Sequence, residues 1–303
     1  MKEVYLKARG FIYRNARPLD LARFRFHFEA GKKEDVLSVL SYYQNADGGF
    51  GHALEPDAWN PASSPIQTWA ATEILREIEF FDGGCSLIKG ILDYLENTPY
   101  FDGHFWANII PSNNLHPHAP WWRKGEDAPH DDYNPTAALA GFILRCGRKG
   151  SALHVRAREI VQNAISDFLS GGFLENMHTA ACYLRMAEYL EAAGESFSDI
   201  GAFREKIKAQ ISYSVEKRIE LWNSYVCRPS LFMKSKSSPL HSLLGELAEY
   251  ECEFILKTQA EDGSWPVPWS WDDYPEAWAV SKNWWKADII IKHLLFLKGI
   301  GRI

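Results

Sequence analysis

Apolar positions recur along most of the chain with the spacing of helices rather than strands. Between Glu34 and Gln44 the apolar residues are Val36, Leu37, Val39, Leu40 and Tyr43, a stripe on one helical face. Similar runs cover roughly 85–97, 152–169, 203–221 and 248–259. Each run ends in a turn, continues through a loop and is followed by a second apolar helical pattern. Several of these second helices open on a cap and a proline. Ser63-Ser64 precedes Pro65, and Ser237-Ser238 precedes Pro239, which suits a side-chain cap followed by a proline whose missing N–H costs nothing at the first helical position. Asn134-Pro135-Thr136 and Asn176-Met177-His178-Thr179 are looser versions, and a last second helix is expected over about 282–298. With an N-terminal pair over about 3–14 and from Pro18 to Ala30, the pattern predicts about six helical hairpins and no strand of useful length.

The turns between paired helices repeat. Gln44-Asn45-Ala46-Asp47-Gly48-Gly49-Phe50 and Gln259-Ala260-Glu261-Asp262-Gly263-Ser264-Trp265 share Gln, Asp, Gly and an aromatic at identical offsets. Asp102-Gly103-His104-Phe105 keeps the last three of these features. Ser170-Gly171-Gly172-Phe173 loses the Asp, and Trp222-Asn223-Ser224-Tyr225 keeps only the aromatic. Glycine supplies positive φ after a helix end, aspartate bonds nearby backbone N–H groups, and the aromatic folds back onto the helices. The turn is therefore expected to be scaffold, and the loops that follow it are where chemistry is expected.

Those loops combine tryptophan with carboxylates and histidine. The first holds His52, Glu55, Asp57 and Trp59. The second holds His118, Trp121 and Trp122, followed by Asp131, Asp132 and Asn134. The last holds Trp269, Trp271, Asp272 and Asp273. Carboxylates in different environments can divide into acid and base, and indole faces stack on sugar rings or cations. Glu55, Asp57, Asp131, Asp132, Asp272 and Asp273 are the candidate catalytic residues. His52, Trp59, His118, Trp121, Trp122, Asn134, His178, Trp269 and Trp271 are the candidate ligand contacts. Asp and Glu before helix starts also serve as ordinary caps, so each carboxylate has a structural alternative.

Composition narrows the classes. A chain of 303 residues with 46% hydrophobic content can bury one large core, and no Pro/Ser-rich linker interrupts it, so residues 1–303 read as a single domain. The net charge of −6 and the lack of a long basic run argue against a nucleic-acid partner. No apolar stretch has the length of a membrane span, and Met1-Lys2-Glu3-Val4 does not read as a signal peptide. Cys85, Cys146, Cys182, Cys227 and Cys252 are scattered and odd in number, as expected of reduced thiols in a cytoplasmic protein.

The full turns, followed by Ser-x-x-x-x-Thr-Trp-Ala-Ala over Ser63–Ala71, resemble the repeats of the terpenoid cyclase and protein prenyltransferase superfamily. The resemblance spans most of the chain as architecture and is sharp at 44–75 and 259–265. It implies an all-α fold, an (α/α)6 toroid, with a small-molecule site in a central cavity. It also implies activity on an apolar, isoprenoid-type substrate. The family's catalytic motifs are altered or absent. Asp132-Tyr133-Asn134-Pro135-Thr136-Ala137 follows the Asp-x-Asp-Asp-Thr-Ala pattern of protonation-type cyclases with Asn134 at the acid position, and an amide cannot protonate an alkene. Asp272-Asp273-Tyr274-Pro275-Glu276 resembles the metal motif of ionisation-type synthases, which belongs to another helical fold. No Asp-x-Cys zinc motif, phosphate-binding glycine loop or dinucleotide fingerprint occurs, so no metal or cofactor is expected. The competing expectation is a glycoside hydrolase or polysaccharide lyase with an oligosaccharide ligand on the Trp–carboxylate rim. A third is a ring that binds a small molecule or peptide and does no chemistry.

Overall fold

A computed structural model describes residues 2–126 and 132–303. Among the described residues the chain is all-helical, with eleven α-helices and no strand. The helices are α1 Lys2–Asn15, α2 Pro18–Phe28, α3 Lys33–Leu40, α4 Pro65–Glu77, α5 Ser86–Asn97, α6 Tyr133–Cys146, α7 Ala152–Ser170, α8 Met177–Ala193, α9 Ile200–Ser214, α10 His241–Thr258 and α11 Pro275–Gly299. None is long and apolar enough to cross a membrane. The described residues gather into two compact units, Met1–Leu40 with Ser214–Ile303, and Ser41–Tyr213.

One expected pair is missing its second member. The helix expected over 203–221 ends at Ser214, and the one expected to begin at Pro239 does not stand alone. Residues between α9 and α10 are irregular apart from single turns at Ile219–Leu221 and Pro229–Leu231. The Ser-Ser-Pro signal turns the chain instead: Ser238 Oγ accepts from the Leu240 N–H, and the Ser238 carbonyl accepts from His241 N–H. The apolar stripe then runs unbroken through α10. Glu251 of α10 seats the preceding segment by accepting from Ser230 N–H at 2.8 Å and Ser230 Oγ at 2.6 Å.

In the unit Ser41–Tyr213, α4, α6 and α8 are successive second helices of their pairs, and α6 packs on both of its neighbours and on α7. The caps of α4 and α8 are those read from the sequence, whereas α6 is capped by Asp132, two residues before the Asn134 expected in that role. Ser64 Oγ accepts from Gln67 N–H, and the Asn176 side chain accepts from His178 N–H. Thr68 and Thr136 occupy the same place four residues after their caps, and each hydroxyl accepts a turn amide, Phe50 N–H at 3.1 Å and Trp106 N–H at 3.0 Å. The aromatic equivalent to Phe50 is therefore the fully buried Trp106, not Phe105, so this weaker copy carries one extra residue. Gly141 brings α6 against α8: a Cβ there would lie 3.0 Å from the Met186 Cα.

The two full turns are built alike. Each glutamine amide donates to the glycine carbonyl of its own turn and to a carbonyl in the first turn of another helix. Gln44 reaches Gly48 and Leu87 of α5; Gln259 reaches Gly263 and Val4 of α1. Three residues further along each receiving helix lies the carbonyl against which the turn glycine rests. A Cβ on Gly48 would be 2.1 Å from the Gly90 oxygen, and one on Gly263 would be 2.1 Å from the Lys7 oxygen. Both glycines also have positive φ, 85° and 91°. Asp47 Oδ1 accepts from Gly49 N–H and Ser63 Oγ, and Asp262 Oδ1 accepts from Ser264 N–H and Oγ.

Gly263→Ala is expected to destabilise the protein by roughly 2–4 kcal/mol, because it combines backbone strain with a collision against an ordered carbonyl. Chemical denaturation measures this; an unchanged midpoint would mean that the turn is not docked on α1. Burial raises the Asp262 pKa, but bonds from Ser264 and Lys286 outweigh it and hold the carboxyl down at about 2. A carboxyl depressed on folding contributes stability above its ordinary value near 3.8 and loses it as pH falls towards 2. Exchange protection of the 259–265 amides should therefore fall between about pH 4 and pH 2, and Asp262→Asn should flatten that dependence.

Candidate functional site

The first Trp–carboxylate loop is tied to the start of α4 by one side chain. Gln67, fully buried, donates through Nε2 to the carbonyls of Ala58 at 3.3 Å and Asn60 at 3.1 Å, and its Oε1 accepts from Glu55 N–H at 3.4 Å. His52 and Ala53 turn the chain with consecutive positive φ values of 58° and 57°, a strained conformation for residues with a Cβ. His52 is exposed and its Nε2 lies 2.8 Å from Asn45 Oδ1. Beyond this bend, Glu55 and Asp57 are buried, 9% and 2% exposed, and Glu55 Oε2 accepts from Asp57 N–H at 2.8 Å.

The second loop pairs with the first. Trp59 N–H donates to the Pro117 carbonyl at 2.9 Å, and Ala119 N–H donates to the Asp57 carbonyl at 2.8 Å, so His118 lies opposite Ala58. Asn60 Nδ2 donates to Ser112 Oγ and Asn113 Oδ1, and Asn113 Nδ2 donates to the Trp122 carbonyl. His118 is 3% exposed, and its Nδ1 lies 2.7 Å from the His116 carbonyl. A carbonyl only accepts, so Nδ1 donates in this contact. The structure thus brings Glu55, Asp57, Trp59, His118 and Trp122 together. Trp121 stands at the edge, 43% exposed.

The starts of α6 and α8 form a second group. Asp132 Oδ1 accepts from Asn134 N–H at 2.7 Å, and its Oδ2 accepts from Thr179 Oγ1 at 3.3 Å. Asn134 Oδ1 lies 3.5 Å from the Cys182 sulfur, and burial pushes that thiol well up, so it is no nucleophile at neutral pH. Asp132 therefore caps one helix and links it to the next. His178, in the first turn of α8, is exposed. Asp131 lies outside the described residues.

The third loop belongs to the other compact unit. There Trp271 is 1% exposed, packed against Tyr274 and Trp278, and Trp269 stands edge-on between Tyr225 and Trp285. Asp272 and Asp273 are exposed. In the same unit Asp20 takes Arg17 at 2.8 Å and Arg23 at 2.9 Å, and Arg23 also bonds Asp288.

A polar group absent from the sequence reading lies deeper along α4 and α8. Glu73 follows Pro65 by eight residues, and Arg185 follows Met177 by eight, so the two stand at the same level of their helices. Arg185 Nε donates to Glu73 Oε2 at 3.0 Å and its Nη1 to Glu188 Oε2 at 3.0 Å. Arg76 Nη1 also donates to Glu188, at 3.4 Å. Burial works against the Arg185 charge, but Glu73 and Glu188 more than restore it, and its pKa stays raised. The signal was present: Glu73-x-x-Arg76 on α4 mirrors Arg185-x-x-Glu188 on α8.

Among the described residues no group of three His, Cys, Asp or Glu side chains is placed to hold a metal ion. No family model, no curated protein and no solved structure matches this chain.

Gln67→Ala is expected to cost about 2–4 kcal/mol, because it strands two buried loop carbonyls. Urea denaturation with tryptophan emission as readout measures it. A cost under about 1 kcal/mol would mean that the loop holds its shape without Gln67.

Proposed function

We propose that the chain is an α/α toroid protein of the terpenoid cyclase and prenyltransferase architecture. Its site at the starts of α4, α6 and α8 takes an uncharged, hydroxyl-rich ligand of the carbohydrate class and acts on it as a hydrolase or lyase. The observation that carries this reading is the pairing of the two Trp–carboxylate loops, which sets Asp57 beside the loop position of His118. A carboxylate and an imidazole are a suitable pair for proton transfer at a glycosidic bond. Glu55, bonded to the Asp57 amide, is a positioning residue.

The ring is supported by the equivalence of the two docked turns. The turn after α3 seats α5, the first helix of the following pair, and the turn after α10 seats α1. A series in which each turn seats the next outer helix, and the last turn seats the first helix, closes on itself.

The charged side chains on α4 and α8 favour a polar ligand. An apolar isoprenoid laid along Glu73, Arg76, Arg185 and Glu188 would strip water from all four, at several kcal/mol, without replacing it. The isoprenoid reading retains one supporting observation, the likeness of the turn repeats themselves.

A panel of neutral oligosaccharides assayed for new reducing ends or unsaturated products, beside farnesyl diphosphate assayed for diphosphate release, separates the two. Oligosaccharide cleavage is expected, with Asp57→Asn lowering it at least about 100-fold. Its melting temperature should stay close to that of the parent protein. Consumption of farnesyl diphosphate alone would overturn the carbohydrate reading. Loss of the fold in Asp57→Asn would make Asp57 structural.

A further inference from the structure

The chain between α5 and α6 folds around a groove of about 230 Å³. Most of its lining is apolar, with Tyr100, Phe105, Ile109 and Pro111, and its two charges are Asp102 and Lys124. Solvent reaches it: Asp102 and Pro111 are exposed, and Tyr100, Phe105 and Lys124 are half-buried. Its volume lies below the roughly 300–1,000 Å³ of pockets for drug-sized ligands, so it suits one small molecule rather than a length of chain.

The walls are held in place without a ligand. Ala107 N–H donates to the Tyr100 carbonyl at 2.8 Å, and Asp102 Oδ1 accepts from the His104 and Phe105 N–H groups, both at 2.7 Å. The Phe105 ring stands edge-on to Tyr133 of α6, with centroids 5.1 Å apart. Pro111 opens a turn whose Asn113 bonds Asn60 and the Trp122 carbonyl. Asn114, next in that turn, clamps the Lys124 backbone from both sides. Its Oδ1 accepts from Lys124 N–H at 2.9 Å, and its Nδ2 donates to the Lys124 carbonyl at 2.7 Å. The groove is therefore preformed, and a ligand entering it does not have to order its walls.

The two charges decide what the groove takes. Asp102 and Lys124 do not pair with each other, and among the described residues neither side chain has an ion-pair partner. The ammonium keeps its three donors, and the two bonds from His104 and Phe105 both use Oδ1 of Asp102. A simple anion would be drawn to Lys124 and repelled by Asp102, and a simple cation would meet the reverse. A molecule with one charge of each sign beside an apolar group satisfies both charges and the walls at once. An α-amino acid with an apolar side chain has that form. We infer that this groove binds one free apolar α-amino acid, with its carboxylate on Lys124, its ammonium group on Asp102 and its side chain against Tyr100, Phe105, Ile109 and Pro111. The site is separate from the chemistry proposed for the paired loops and stands whether or not that reading holds.

Titration calorimetry on the full chain tests the assignment with L-phenylalanine, L-leucine and L-methionine, and with glycine as the control without a side chain. At least one of the three apolar amino acids should bind, and glycine should bind at least about tenfold more weakly. The N-acetyl and amide derivatives of the tightest binder each lack one charge and should each be weaker by about tenfold or more. Lys124→Met and Asp102→Asn should each weaken the tightest binder by a similar factor at an unchanged melting temperature. Asparagine keeps the Oδ1 acceptor that the turn uses, so loss of the fold is not expected. Crystals soaked with that amino acid should place its carboxylate on Lys124 Nζ. No binding by any of the three, a derivative as tight as its parent, or a Kd unmoved by both substitutions would overturn the assignment. An amino acid seated away from the groove would overturn it as well.

Discussion

A glycine lying on another helix's carbonyl is the constraint on which the other features rest. Gly48 against Gly90 and Gly263 against Lys7 leave no room for a side chain. That approach in turn brings the glutamine amide within reach of Leu87 or Val4. With the turn held from outside, its aspartate is free to organise the turn itself, and at Asp47 it also fixes Ser63 beside the cap of α4. The start of α4 is thereby set, Gln67 is aimed at the loop carbonyls, and the Glu55–Asp57 segment has only one path to follow. A contact between two backbones thus decides the course of a loop that carries carboxylates.

The same logic explains why the paired loops can be buried at all. Irregular backbone inside a protein must find partners for its N–H and C=O groups without a ladder to supply them. Here side-chain amides do this work. Gln67, Asn60 and Asn113 each use both donor and acceptor functions or bridge two segments. Amides suit the role because they offer both functions without a charge to desolvate. The carboxylates are left for positions where they accept backbone N–H groups, as Glu55 and Asp132 do.

The helices and the two full turns were legible because periodicity and turn chemistry are local. Ser64-Pro65 fixed a helix start through its own atoms, and Gly48 and Gly263 declared positive φ by residue type. The Ser-Ser-Pro at 237–239 misled for the opposite reason: the same residues make a tight turn into α10 when the apolar stripe beyond them is continuous. The extra residue before Trp106 was hidden because Phe105 offered an aromatic at the expected offset, and only the Thr136 bond distinguishes the two. Of the candidate site residues, the pairing of 51–61 with 116–122 could not be read, since it depends on contacts between segments about 60 residues apart. Glu73 and Arg185 lie on helices rather than in the Trp–carboxylate loops, and only their mirrored spacing marks them in the sequence.

The docking of Gln259 on Val4 spans 255 residues. Synthesis runs from the N-terminal side, so helix α1 is made some 255 residues before the turn that seats it. Until then its apolar face, with Ala8, Phe11 and Ile12, lacks the cover it has in the finished molecule. At ordinary rates of synthesis, about 5–20 residues per second, that interval is roughly 13–50 seconds. Helix α1 therefore waits through that interval with its docking surface open, and its seating is a step that must follow synthesis of the 259–265 turn.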